Sequence, residues 1–162
     1  LSKGQTTFKE YATMLERNAK ASSIVIQDEI WITGGIRNGI SEKSSEFIKD
    51  NSKRKGPDLP EKLFNHIIIK LNEETSMLIG GEGEKDKTSE KTYYYFHAND
   101  SWTLGPPLKT GRNRHAAGLI KDKETLEEHI VVMGGSGAED NVEILFHGEK
   151  AWKEGMETCT IE

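Results

Sequence analysis

Three apolar runs in this chain end in adjacent glycines: IWITGG at Gly34 and Gly35, SMLIGG at Gly80 and Gly81, and IVVMGG at Gly134 and Gly135. The pairs lie 46 and 54 residues apart. A single strand ending in glycines suits the lip of a phosphate loop, but such a loop is not copied three times along one chain. Recurrence at roughly fifty residues instead marks a repeat architecture, in which each unit buries its faces against its neighbours.

Other marks keep the same order within each unit. Phe96 stands six residues before Trp102 and Phe146 six before Trp152; the same frame places Phe47 six before Lys53. Three residues further on come Gly56, Gly105 and Gly155, the first two opening the turns GPDLP and GPPL. His66 in NHIII and His115 in RHAAGLI each precede the next apolar run.

Between these marks each unit reads as four short strands rich in β-branched and aromatic residues. The second unit gives strands near 66–71, 76–79, 92–96 and 101–104, and the third near 116–121, 129–133, 142–146 and 151–153. The first gives strands near 23–26, 30–33 and 46–48, with a weak fourth around Lys53. The expected divisions are 1–19 as an outer strand or linker of a preceding unit, 20–62 as a divergent first unit, 63–111 as the second, and 112–162 as the third with its tail. Residues 6–12 (TTFKEYA) fall in phase with an outer strand, whereas Phe8, Tyr11 and Leu15 have the spacing of an amphipathic helix face. Repeat phase favours the strand.

Together these marks resemble Kelch repeats: paired glycines after strand two, an aromatic then Trp on strands three and four, and RNRHAA leading into strand one. In that family each repeat is one four-stranded blade of a β-propeller, as in galactose oxidase and kelch-like proteins. The resemblance implies an all-β propeller segment of about three antiparallel blades. Three blades fall short of the usual four to eight, so further blades from the same or another chain are expected. The Leu start likewise suggests a processed chain or a piece of a longer one.

The chemistry visible in the residues is sparse. GGEGEKDKTS lacks the GK[ST] ending of a phosphate loop, and GGSGAED lacks GxGxxG spacing. No HExxH or HxxxH pair offers a helical metal site. Ser136 does not sit in a GxSxG elbow. Oxidases and a sugar mutarotase exist on related propellers, but the Tyr–Cys constellation and His ligands of the oxidases are not apparent. The reading is therefore of a non-enzyme without cofactor or metal. The alternative is part of an oxidase- or mutarotase-type propeller whose catalytic residues lie in missing blades.

Net charge of −5 argues against a nucleic-acid groove or an anionic membrane. Cys159 is the single cysteine, and no leader segment is visible, so the cytoplasm is the expected compartment. From each glycine pair to its aromatic mark the distance varies (12, 15 and 11 residues), while aromatic to Trp stays at six. Variable loops on a constant scaffold are the arrangement of a binding face. The resemblance implies that this face holds a protein or peptide partner, as in substrate adaptors that grip acidic peptides with Arg just before strand one. Arg114 matches that position, Ala19 and Asn65 taking it in the other units, and Arg37 and Arg112 are further loop candidates.

Overall fold

The computed structural model describes residues 12–15, 17–84 and 87–155. Twelve strands form three separate four-stranded sheets, each paired antiparallel in chain order. The first blade comprises β1 (Ser22–Ile26), β2 (Glu29–Arg37), β3 (Ile40–Lys49) and β4 (Ser52–Lys55). The second comprises β5 (Ile67–Lys70), β6 (Thr75–Ile79), β7 (Thr92–Phe96) and β8 (Ser101–Leu104). The third comprises β9 (Ala116–Lys121), β10 (Glu128–Met133), β11 (Val142–Leu145) and β12 (Lys153–Glu154). The innermost strands β1, β5 and β9 lie side by side, so the blades are arrayed about a common axis. The expected segment at 6–12 falls almost wholly outside the described residues, and Ala12 carries no strand; Cys159 is also outside them.

The weak fourth strand of the first blade is well formed, with Lys53 opposite Ile48 and Arg54 opposite Phe47. Its second and third strands run longer than expected. They continue past the glycines to a two-residue turn at Asn38 and Gly39, both at positive φ (50° and 80°). Asn-Gly is the sequence pattern for such a turn. The bulge between Thr33 and Gly35 lets the ladder survive the glycine pair.

Strand register corrects one mark. Gly56, Gly105 and Gly155 donate their N–H groups to Ser45, Thr92 and Val142, which sets these three residues as equivalents. Phe47 therefore matches Tyr94, and the counterpart of Phe96 and Phe146 is Lys49. The cause is turn length: Asp50 and Asn51 make a two-residue turn at positive φ, while four residues separate Phe96 from Ser101. The count of six from Phe47 to Lys53 is a coincidence of spacing.

The blades meet through aromatic wedges. Trp102 of the second blade packs on Trp31 of the first at 5.9 Å and donates its indole N–H to the Asp58 carbonyl at 3.1 Å. Trp152, 1% exposed, packs among Met77, Ile79, Leu108 and Val132 and donates to the Pro106 carbonyl at 2.9 Å. Both sit between neighbouring blades, where large rings fill the space that diverging sheets open.

The paired glycines have separate duties. A Cβ on Gly34 would lie 2.8 Å from the ring of His66, and one on Gly80 would lie 2.9 Å from the ring of His115; each histidine belongs to the next blade. Gly35, Gly81 and Gly135 instead press against backbone of their own blade just ahead of its first strand. All six glycines have positive φ, and at all but Gly134 a side chain is excluded by space as well as by conformation.

The interlocking histidines are buried, and burial depresses the imidazole of His66 to about 3 and of His115 to about 4. The charges of His115 and of Arg112, respectively, add to that depression. His66 Nε2 meets the Thr33 hydroxyl at 2.9 Å. In the unfolded chain both rings take up protons near about pH 6.5. Between about pH 6.5 and 4 the unfolded state thus binds more protons, and stability falls as pH drops through that window. The expected slope is up to about 1.4 kcal/mol per pH unit per histidine. Urea unfolding at stepped pH should show the slope, and His115→Leu should flatten it; an equal slope in that variant would mean the ring is not neutral in the fold.

Candidate functional site

The loops between the second and third strands and the crossovers entering each first strand gather at one end of the blades. Isolated bridges tie them together: Ala19 to Ile36, Phe64 to Glu82 and Asn113 to Ser136. Immediately after each bridge comes a left-handed residue: Lys20 (φ 58°), Asn65 (φ 53°) and Arg114 (φ 54°). The Asn65 N–H donates to the Lys20 carbonyl at 2.9 Å, and the Arg114 N–H to the Asn65 carbonyl at 3.0 Å. These three residues therefore form a hydrogen-bonded arc around the axis.

The arc corrects the count made from sequence alone. The first-blade residue equivalent to Arg114 is Lys20; Ala19 matches Asn113 instead. Two of the three positions are thus basic, and both side chains are exposed. Lys20 Nζ lies 5.3 Å over the Phe64 ring. Between Lys20 and Arg114 runs a groove of about 560 Å³ whose lining includes Ile36, Ile40, Phe64 and Glu82. Ile40 is 59% exposed at the tip of the Asn38–Gly39 turn, an apolar side chain held out to solvent. Glu82 is 8% exposed and accepts from Asn65 Nδ2 at 3.3 Å, and Glu84 pairs with Lys62 at 3.1 Å. Arg114 has no ion pair among the described residues.

The other two arginines singled out from sequence lie elsewhere. Arg37 is bound to Glu42 through Nε at 3.2 Å and Nη2 at 3.0 Å, and it lines a flank pocket with Leu15 and Asn18. Arg112 is 0% exposed. Its Nη2 donates to Glu143 Oε1 at 2.5 Å and to Asn141 Oδ1 at 2.6 Å, and its Nη1 donates to the Gly134 and Asn141 carbonyls at 3.1 Å each. Glu143 also accepts from the Lys109 and Thr110 N–H groups at 2.7 and 3.1 Å. This arginine clamps the crossover between the second and third blades and presents nothing to a partner. In the sequence Arg112 reads as a loop cation, because the buried carboxylate that meets it lies 31 residues away.

Lys20 and Ile40 were the residues missed. Counting back from the first strand finds the former, and the Asn-Gly turn finds the latter. Among the described residues no group of three His, Cys, Asp or Glu side chains is placed to hold a metal ion, and no helix is long and apolar enough to cross a membrane.

A scan of protein-family profiles gives no match to the chain. A search of curated proteins finds the human (Homo sapiens) Kelch repeat and BTB domain-containing protein 12, 27% identical over 158 aligned residues. The alignment takes in 80% of this chain. The three four-stranded antiparallel sheets fit the Kelch blades for which that protein is named. The chain spans about a quarter (24%) of the length of that relative. Among the three blades the third stands apart in pairing Arg112 with Glu143; the equivalent positions hold Asn18 and Glu46 in the first blade and Leu63 and Tyr93 in the second.

Removing Arg112 leaves a carboxylate buried and uncompensated, so Arg112→Leu should lose about 3–5 kcal/mol in chemical denaturation. Arg114→Leu, at an exposed position two residues away, should change stability by less than about 0.5 kcal/mol. Equal losses in the two variants would contradict the assignment.

Proposed function

We propose that this Kelch segment is a protein-interaction scaffold, not an enzyme, and that it presents the loop end of its blades to a segment of another protein. One observation carries the reading: Lys20 and Arg114, repeat-equivalent and exposed, flank a groove whose lip is the solvent-held Ile40. That combination suits a partner segment in which acidic residues neighbour an apolar one, since a guanidinium binds carboxylate bidentately and Ile40 supplies apolar area. A role as substrate adaptor fits such a surface. The 27%-identical human relative, named for its Kelch repeats, supports the interaction reading.

We also propose that additional blades flank these three. Gly134 has the positive φ of Gly34 and Gly80 (64°), yet a Cβ there would meet nothing nearer than 3.6 Å. Met133 is 45% exposed, whereas its equivalents Thr33 and Ile79 are fully buried. At the other flank, Glu46 accepts from the Leu15 N–H at 2.6 Å much as Glu143 accepts from Lys109. Residues near Leu15 therefore follow the course of a blade-to-blade crossover, which supports reading 1–19 as a connection from a preceding blade.

The test of the interaction reading is charge reversal at the arc. Binding of an acidic peptide bearing Leu or Ile, measured by fluorescence anisotropy, should weaken at least about tenfold (about 1.4 kcal/mol) in Lys20→Glu/Arg114→Glu. The melting temperature should stay unchanged, because both side chains are exposed. Undiminished binding would count against this surface, and turnover of a small molecule by the complete protein would count against the scaffold reading.

A further inference from the structure

The two blade junctions are built on one register but are not filled alike. At the first junction Trp31, Tyr95 and Trp102 cluster, with ring centroids 4.5, 4.8 and 5.9 Å apart, and Phe47 stacks on Trp31 at 5.4 Å. At the second junction, strand pairing places Met77 where Trp31 stands and Leu145 where Tyr95 stands. Two rings have become two aliphatic chains, and Met77 is fully buried in the cluster around Trp152. A groove of about 480 Å³ opens there, with Leu71, Tyr94, Leu119, Leu126, Leu145 and Phe146 in its walls.

This groove belongs to the end of the blades opposite the arc. Its rim is made by the β9–β10 and β11–β12 hairpins, whereas the arc lies with the β2–β3 loops. Both blades that form it are present, so it is not an open flank awaiting another blade.

The β9–β10 hairpin is held in an unusual way. Asp122 accepts through its carboxylate from the Glu124 and Thr125 N–H groups at 2.8 and 2.7 Å, and through its carbonyl from the Leu126 N–H at 3.0 Å. These backbone donors hold the Asp122 carboxyl below its ordinary range. The turn closes with Leu126 at φ 62°, a conformation that ordinarily falls to glycine or asparagine. A bulky leucine kept in that seat and 64% exposed is strained and unshielded at once. On the other side, Phe146 is 36% exposed and rests on His129 at 4.9 Å, and the His147 N–H donates to His129 Nδ1 at 3.1 Å. Two apolar side chains are thus propped open across an apolar floor.

Carboxylates outnumber cations at the rim: Glu127, Glu128 and Glu149 line it with Lys121, and Lys153 stands beside it with Nζ 5.2 Å over the Phe146 ring. Glu149 is bound by Lys153 at 3.1 Å, while Glu127 and Glu128 have no ion pair among the described residues.

We propose that this junction groove is a second docking site, which takes a short apolar segment of a partner protein flanked by lysine or arginine. Leu126 and Phe146 close on the apolar core of the segment, and Glu127 and Glu128 meet its cations. The site is independent of the arc and prefers the opposite charge, so each can fail without the other.

The probe is a labelled peptide with a Leu-Phe-Leu core between lysine pairs, compared with the same core between glutamate pairs, each titrated against the full chain by anisotropy. The lysine-flanked peptide should bind, and the glutamate-flanked one should bind at least about tenfold more weakly. Leu126→Asn keeps the left-handed turn while removing the apolar contact. It should leave the melting temperature unchanged or higher and weaken the lysine-flanked peptide at least about tenfold. Equal binding of the two peptides, no binding by the folded chain, or binding unaffected by Leu126→Asn would overturn the proposal. So would sedimentation showing self-association abolished by Leu126→Asn, since a second copy would then be the occupant.

Discussion

The fold depends on how closely one blade can approach the next. At Gly34, within the bulge of β2, and at Gly80, just past β6, the backbone takes positive φ and passes so near the following blade's histidine that no side chain fits between them. This approach brings the sheets into range for Trp102 and Trp152 to wedge between them. A four-stranded sheet of short strands cannot cover its own two faces. Contact across the glycine–histidine seam is therefore where the chain turns three thin sheets into a shared core.

Given that seam, the two junctions differ in what fills them, and the differences have physical consequences. The first is an aromatic cluster with hydrogen bonds at its edge, including one from the Tyr95 hydroxyl to Asp100. The second leans on the buried Arg112–Glu143 pair and on aliphatic side chains. An ion pair of this kind contributes geometry more surely than stability, because desolvating both charges offsets much of their attraction. Here it fixes the crossover backbone, through the Lys109 and Thr110 N–H groups, on which the third blade is hung. The groove under Leu126 lies at the opposite end of the same junction.

Much of this was legible in the residues. The β-branched and aromatic runs gave the strands of the second blade almost to the residue, because apolar pattern and strand propensity agree there. What escaped depends on partners distant in sequence or on turn geometry. Phe47 was misaligned because a two-residue turn can replace a four-residue one without altering the count of six. Lys20 was displaced by one position because Ala21 stands where the other blades carry histidine, which removed the anchor for counting. Arg112 was indistinguishable from Arg114 by type and by neighbours. Only Glu143, on a strand of the next blade, separates a structural cation from a displayed one. The groove at the second junction had no sequence signature, since its walls come from Leu71, Tyr94, Leu119, Leu126 and Leu145, which lie far apart in the chain.

The most direct measurement of the seam is a nuclear Overhauser experiment on histidine-labelled protein. Cross-peaks are expected from the His66 Hε1 proton to the Gly34 Hα protons and from His115 Hε1 to those of Gly80. Histidine rings that show contacts only within their own blades would contradict the seam, because the sheets would then be stacked in some other way.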